Sequence, residues 1–263
     1  MHQAKAWFRP FARIGYAARG LIYTVIGFFA ATAAIGSGET MGSRDALDRL
    51  LESGFGIAVA YILVLGLACY ALWRTIQSVF DTDDHGTDAK GLAVRGGLIT
   101  SAIAYSTLAF YTASRIRGTS SDSESGGGVA DAIAGFVGTG IVSAVIAACL
   151  AGAAIAHVVK AVREKYADHI EADAAKMKII HPIAKTGLIA RGAVFAILAF
   201  LVALQSWRGG GTGDDVGSKQ ALDFVQSLPA GSWLLAAMGI GLLAFAAYSF
   251  TQALYRRINV EDA

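Results

Sequence analysis

Charged residues are scarce in this chain, as are the residues that interrupt helices or cross-link loops. Only 16% of the 263 residues are Asp, Glu, Lys or Arg, three are proline and two are cysteine. Cys69 and Cys149 both fall inside apolar runs, and two cysteines are too few for a disulfide framework or a structural zinc site. The low charge and the mean hydropathy of +0.52 favour a membrane protein.

Catalytic signatures are also missing. The sequence contains no nucleophile elbow, phosphate loop, HExxH or CxxC, and the glycine run RGGGTG at 208–213 follows an apolar run, which is the wrong context for binding phosphate. No acidic residue lies well inside an apolar run, which argues against a pump driven by carboxylates. We therefore expect no enzyme, no cofactor and no metal site.

What the chain does have is apolar runs long enough to cross a bilayer. About 20 helical residues span a hydrocarbon core of about 30 Å. Six candidate spans lie at 15–36, 57–79, 92–114, 133–158, 188–207 and 233–254. The three prolines fall outside these windows, so the sequence predicts an all-α, polytopic membrane protein with six transmembrane helices.

Basic residues divide unequally between the two sides of this arrangement. The N-terminus, the loops at 80–91 and 159–186, the C-terminal tail and the adjoining helix ends hold sixteen of the 22 Lys and Arg residues, and the other three loops hold six. Because positive loops stay on the cytoplasmic side, both termini are predicted to be cytoplasmic.

The chain can be divided into three similar units, at 1–84, 85–180 and 181–263. Each unit contains the motif G-x-x-x-R-G, a span, an outer loop and a second span. Two outer loops, RDALDRLLESGFG at 44–56 and KQALDFVQSLPAG at 219–231, resemble each other, and VADAIAGFVGTG at 129–140 is a weaker match. Their amphipathic pattern predicts short helices on the outer surface. The middle unit is the divergent one, because its second span lacks the aromatic residues of the other two.

The repeated motif places arginines and glycines at matching positions. The arginines are Arg19, Arg95 and Arg191, and the glycines are Gly15, Gly20, Gly91, Gly96, Gly187 and Gly192. The glycine four residues before each arginine leaves a notch for a neighbouring helix. Near the inner ends of the second spans stand Gln77, Lys160 and Gln252, which are candidate polar partners of the arginines.

The ordered recurrence of these motifs resembles the bacterial membrane proteins grouped as domain of unknown function 1206. The resemblance covers essentially the whole chain. It implies a six-helix protein of the bacterial inner membrane built from three tandem hairpins, and it implies no activity. Three parallel hairpins pack most simply with pseudo-threefold symmetry, which would bring the three arginines to a similar depth.

Two interpretations of the arginines remain open. In the first, each guanidinium reaches lipid phosphates or caps the C-terminal carbonyls of a neighbouring second span. In the second, the three arginines share an anion site at the cytoplasmic side. His157 is either an interfacial residue, a proton relay or a haem ligand, although no second histidine within the spans partners it.

Two classes of function follow from these readings. The first is a non-enzymatic helix-packing, interaction or lipid-organising module, favoured by alanine- and glycine-rich spans. The alternative is a small-solute or ion channel or transporter with an anion-binding arginine cluster. The expected partners are membrane lipids with anionic headgroups, together with a membrane protein or a second copy of the chain, and not a nucleic acid.

Overall fold

The computed structural model describes residues 8–36, 40–52, 56–83, 86–117, 139–207 and 218–258. These residues form eight α-helices and one short 3-10 turn, with no strand among them. The helices are α1 Phe8–Ala34, α2 Ser43–Leu51, α3 Gly56–Phe80, α4 Ala89–Ile116, α5 Thr139–Val162, α6 Ala174–Trp207, α7 Ser218–Gln226 and α8 Gly231–Tyr255, and the 3-10 turn is Ala167–His169.

Six of these helices, α1, α3, α4, α5, α6 and α8, are long and apolar enough to cross a membrane. The all-helical prediction is therefore confirmed, and each predicted span falls on one long helix, although residues 133–138 of the fourth lie outside the described part of the chain. The helix that contains the fifth predicted span extends further towards the N-terminus than that span, because α6 begins at Ala174 and includes Pro182. Ile180, Ala184 and Leu188 recur every four residues on one buried face. Burial of this face stabilises the helix even though it contains Pro182.

The six long helices pack in the order α4, α3, α1, α8, α6, α5, with each helix contacting the next. Within the described residues, no comparable interface joins α4 to α5, so the ring is open between them. These two helices are accordingly the least buried of the six. In the most apolar stretch of each helix, 17% of α4 and 11% of α5 is buried inside the protein. Among the six long helices, α4 and α5 thus present the most exposed apolar surface.

Side chains fill the interior of the bundle. The largest fully buried residues include Tyr16 on α1, Leu67 and Tyr70 on α3, and Phe245 and Tyr248 on α8. Tyr16 packs edge-on against Tyr70, with ring centroids 5.3 Å apart. Aromatic edge contacts of this kind add to the burial of apolar area and fix the relative rotation of the helices.

The two short helices α2 and α7 are amphipathic, as predicted, and their apolar faces pack against protein. Their apolar residues Ala46, Leu47, Ala221 and Leu222 are completely buried against the bundle. The segments also meet each other, because the Thr40 hydroxyl donates to the Asp223 carboxylate. Burying this face against protein removes more apolar area from water than a shallow interfacial position would. Most of the third predicted outer helix, at 129–140, lies outside the described residues.

Candidate functional site

Arg19 is buried at the centre of the bundle and joins three helices. Its side chain extends from α1, where only 3% of the residue is exposed, and donates to the Tyr70 hydroxyl on α3 and to Ser249 and Gln252 on α8. The guanidinium carbon also lies 5.1 Å from the centroid of the Tyr16 ring and 5.0 Å from that of Phe245. Hydrogen bonds and aromatic faces together compensate the loss of water around the charge.

Arg191 is also buried, with 8% of the residue exposed, but it is surrounded mainly by aromatic rings. Its guanidinium carbon lies 4.6 Å from the ring centroid of Phe245 and 4.8 Å from that of Tyr23. Its one described hydrogen bond is long, 3.5 Å to the Tyr105 hydroxyl, and Nε has no partner among the described atoms. A cavity of about 10 Å³ beside it has room for about one water molecule.

Arg95 occupies a different environment at the end of α3. Its Nε donates to the carbonyl of Ser78 at 2.7 Å and its Nη2 to the carbonyl of Val79 at 3.1 Å, while the Ser78 hydroxyl donates back to the Arg95 carbonyl. A cation is favourable there because the carbonyls at a helix C-terminus carry partial negative charge. The structure therefore brings Arg19 and Arg191 together around Phe245 and uses Arg95 as a cap.

The glycines of the repeated motif also fall into two groups: some lie close to a neighbouring helix and others do not. A Cβ atom at Gly15 would lie 2.7 Å from the Tyr70 backbone, and one at Gly187 would lie 2.5 Å from the Phe245 backbone. Gly20 and Gly192 also meet neighbouring helices, at the Phe250 ring and at Ala154 and Val158. In the middle unit, Gly96 faces open space, and Gly91 lies in the first turn of α4 where its N–H donates to Asp88. The close approach thus occurs in the first and third units.

The predicted polar partners on the second spans have three different environments. Gln252 accepts from Arg19. Gln77 accepts from Arg74 and donates to Asp83 at 2.9 Å. Lys160 makes no hydrogen bond or ion pair within the described part of the chain, although it interacts electrostatically with Arg19, Arg74, Asp83 and Arg256.

Sequence reasoning missed an ion pair at the same end of the bundle. Arg256, which follows α8, donates through Nη2 to both Asp83 oxygens at 2.8 and 3.2 Å, and 4% of its side chain is exposed. Arg74 donates to the Tyr70 hydroxyl, so that hydroxyl accepts from two arginines. Asp83 and Arg256 each follow an apolar run and stand among other polar residues. Nothing in the sequence marks Asp83 as a partner of Arg256. We call Arg74, Asp83, Lys160 and Arg256 the basic-end cluster.

The segment between α5 and α6 is attached to this cluster. The Arg257 N–H donates to the His169 carbonyl at 2.9 Å, and the Glu171 N–H donates to the Tyr255 carbonyl at 2.8 Å. The pKa of His169 is lowered to about 4, first by burial and then by Arg256, with Asp83 acting in the opposite direction. Burial is therefore the main cause of the lowered pKa, and Arg256 is the largest charge effect.

His157 packs against aromatic rings on the opposite side of α5 from solvent. Its Nδ1 lies 2.8 Å from the Ala153 carbonyl, and its ring is edge-on to Phe195 with centroids 5.3 Å apart. Within the described residues, no three His, Cys, Asp or Glu side chains come together as metal ligands.

These features define a class of protein: a multi-pass, α-helical membrane protein with arginines buried between its spans. More narrowly, the chain belongs to the family called Domain of Unknown Function (DUF1206), whose model matches residues 14–81 and 186–256. This confirms the resemblance drawn from the repeated motifs. Residues 82–185, which include most of the predicted middle unit, lie between the two matched regions.

A relative has a similar length. The chain is 25% identical over 268 residues to "Uncharacterized protein YxxB" of Bacillus subtilis (strain 168), and the alignment covers 98% of this chain and 95% of the relative. No solved structure matches the chain.

Proposed function

We propose that the protein is a non-enzymatic module of the bacterial cytoplasmic membrane that packs against lipids or a second copy of itself. The observation that carries this proposal is that arginine side chains form hydrogen bonds to other helices of the same chain. The Arg19 guanidinium is bonded to Tyr70, Ser249 and Gln252, and Arg95 to helix-end carbonyls. Groups engaged in this way hold helices together and have few donors left for a passing substrate.

A channel or transporter is the less supported alternative. A solute pathway needs a continuous polar lining, whereas large fully buried side chains occupy the described interior. The cavity at Arg191 has the volume of about one water molecule and is lined otherwise by apolar and aromatic residues.

A pseudo-threefold origin of the bundle is part of the proposal. Equivalent contacts recur in different units: Gly15 to Tyr70 and Gly187 to Phe245, Ala18 to Gly66 and Ala190 to Gly241, and Gly20 to Phe250 and Gly192 to Val158. The ring order also fits three hairpins in which the middle pair, α4 and α5, has separated. The separation of α4 from α5 exposes the helix surface that we propose packs against lipids or a second copy.

The proposed interaction surface lies on α4 and α5. No described atom lies within 4 Å of a Cβ built at Gly96 on α4 or at Gly152 on α5, and Cys149 on α5 is exposed. Small residues on a lipid-facing helix permit another helix or an acyl chain to approach closely.

A photoreactive amino acid at position 152 tests this surface. In detergent-purified protein, where loosely held lipid has been removed, we expect adducts with retained lipid or with a second copy. The matched control is position 65, because Leu65 on α3 is 57% exposed and lies outside the α4–α5 surface. Adduct yields at 152 no higher than those at 65 would contradict the proposal.

The proposed orientation has a separate test. In a background lacking Cys69 and Cys149, single cysteines at Ser121 and Gly210 should react with an impermeant thiol reagent in intact cells, because their loops carry the fewer basic residues. Labelling at His85 and Ile170 instead would reverse the topology.

A further inference from the structure

The second spans of the three units each bring one cation to the same end of the bundle. Arg74 lies near the end of α3, Lys160 lies in the last turn of α5, and Arg256 follows α8. Lys160 interacts electrostatically with Arg74, Arg256 and Asp83, and Arg256 interacts with Arg74 and Asp83. They come from helices that are far apart in the sequence, so their convergence is a property of the fold.

The basic-end cluster, as defined from the described residues, holds three cations and one carboxylate. The strongest charge effects on Lys160 come from three arginines, Arg19, Arg74 and Arg256, and from the carboxylate of Asp83. Asp83 is already engaged by Arg256 and by the amide of Gln77. Like charges in a medium of low dielectric repel strongly, so this arrangement is unfavourable without a further anion.

Buried donors without partners lie at the same place. Nε of Arg256 and the hydroxyl of Tyr248 form no hydrogen bond among the described atoms, and 6% and 2% of these residues are exposed. Tyr248 interacts electrostatically with Arg256, Arg19 and Arg74, which places its hydroxyl beside the cluster. Leaving such buried groups unpaired destabilises the folded state.

We infer that the basic-end cluster binds a phosphate group between α3, α5 and α8, with Arg74, Lys160 and Arg256 as its cationic ligands. A phosphate supplies two negative charges and several acceptor oxygens, which match the excess charge and the free donors. Arg74 and Lys160 are half-buried, so the group can be reached from the membrane boundary. Basic pockets between transmembrane helices bind lipid headgroups in this way, and a free phosphate has the same chemistry.

Lys160 is the best position for a substitution, because its replacement removes no hydrogen bond or ion pair among the described residues. Without any ligand, Lys160→Gln should have a melting temperature equal to or above that of the wild type, since the change relieves repulsion from three arginines. Lys165→Gln is the matched control, because Lys165 is exposed and lies beyond the end of α5.

The measurement is the melting temperature of the full chain in neutral detergent, titrated with inorganic phosphate at constant ionic strength and, separately, with phosphatidic acid against phosphatidylcholine. We expect saturable stabilisation of the wild type and of Lys165→Gln, and an apparent affinity about tenfold weaker for Lys160→Gln. Stabilisation by phosphatidic acid alone would identify a lipid headgroup as the ligand, and stabilisation by both would show that free phosphate also fits.

Two results would overturn the inference: a wild-type response no larger than that to sodium chloride, or a Lys160→Gln response equal to that of the wild type. The inference rests on the proposed function only where the ligand is a lipid. Its failure would leave the adduct yields at position 152 unchanged, so the two proposals fail separately.

Discussion

Replacing Arg19 by lysine should lower the free energy of unfolding by about 2 kcal/mol. The guanidinium reaches Tyr70 on α3 and Ser249 and Gln252 on α8 at the same time, through donors that diverge from one planar group. A lysine ammonium keeps the charge but is a single point on a flexible stem, so it cannot bond three separated acceptors. Each lost hydrogen bond to a charged group costs about 1.5 to 3 kcal/mol, partly recovered by the bonds that lysine does make.

The matched control is Arg95→Lys. Arg95 is half-buried and donates to two adjacent carbonyls at the end of α3, an arrangement that an ammonium can satisfy. The free energy of unfolding of the Arg95→Lys variant should differ from that of the wild type by less than about 1 kcal/mol. Denaturant unfolding of both variants in mixed micelles makes the comparison, and equal effects would show that the arginines only reach the lipid headgroups.

Gly187→Ala should destabilise the protein by about 3 kcal/mol, whereas the same change at Gly96 should be neutral or stabilising. A Cβ atom at Gly187 would lie 2.5 Å from both N and Cα of Phe245 in the backbone of α8, so the two helices must separate. At Gly96 the Cβ would meet nothing within 4 Å, and alanine favours the helix by up to about 1 kcal/mol.

The opposite signs matter more than the magnitudes, because both glycines belong to the same repeated motif. The variants are compared by melting temperature in one detergent. A Gly187→Ala protein as stable as the wild type would mean that α6 and α8 do not approach as closely as described. A severe loss at Gly96 would mean that α4 is covered by another part of the chain.

The spans could be predicted from the sequence because hydrophobicity and length act locally. The start of α6 could not, since residues 174–187 carry charges and Pro182, and their helix is stabilised by burial of Ile180 and Ala184 against another element. The position of α2 and α7 depends on tertiary contact in the same way. An amphipathic pattern predicts one apolar face but does not say whether lipid or protein covers it.

The candidate site was only partly predictable for a similar reason. The repeated motif singled out Arg19, Arg95 and Arg191 by spacing alone, and of these Arg19 and Arg191 are buried. No described atom lies close to a Cβ built at Gly96, and Arg95 bonds to the end of α3. The pairing of Asp83 with Arg256 joins residues 173 positions apart, and no local pattern reveals such a pair.

The most direct test of the account is a double-mutant cycle between Arg19 and Gln252. Unfolding free energies of Arg19→Lys, Gln252→Ala and the double variant isolate the coupling across the α1–α8 interface. If Arg19 joins the helices as described, the coupling energy should be about 1 to 2 kcal/mol and favourable. A coupling energy near zero would show that the two side chains do not depend on each other and would contradict the central claim that buried arginines hold this bundle together.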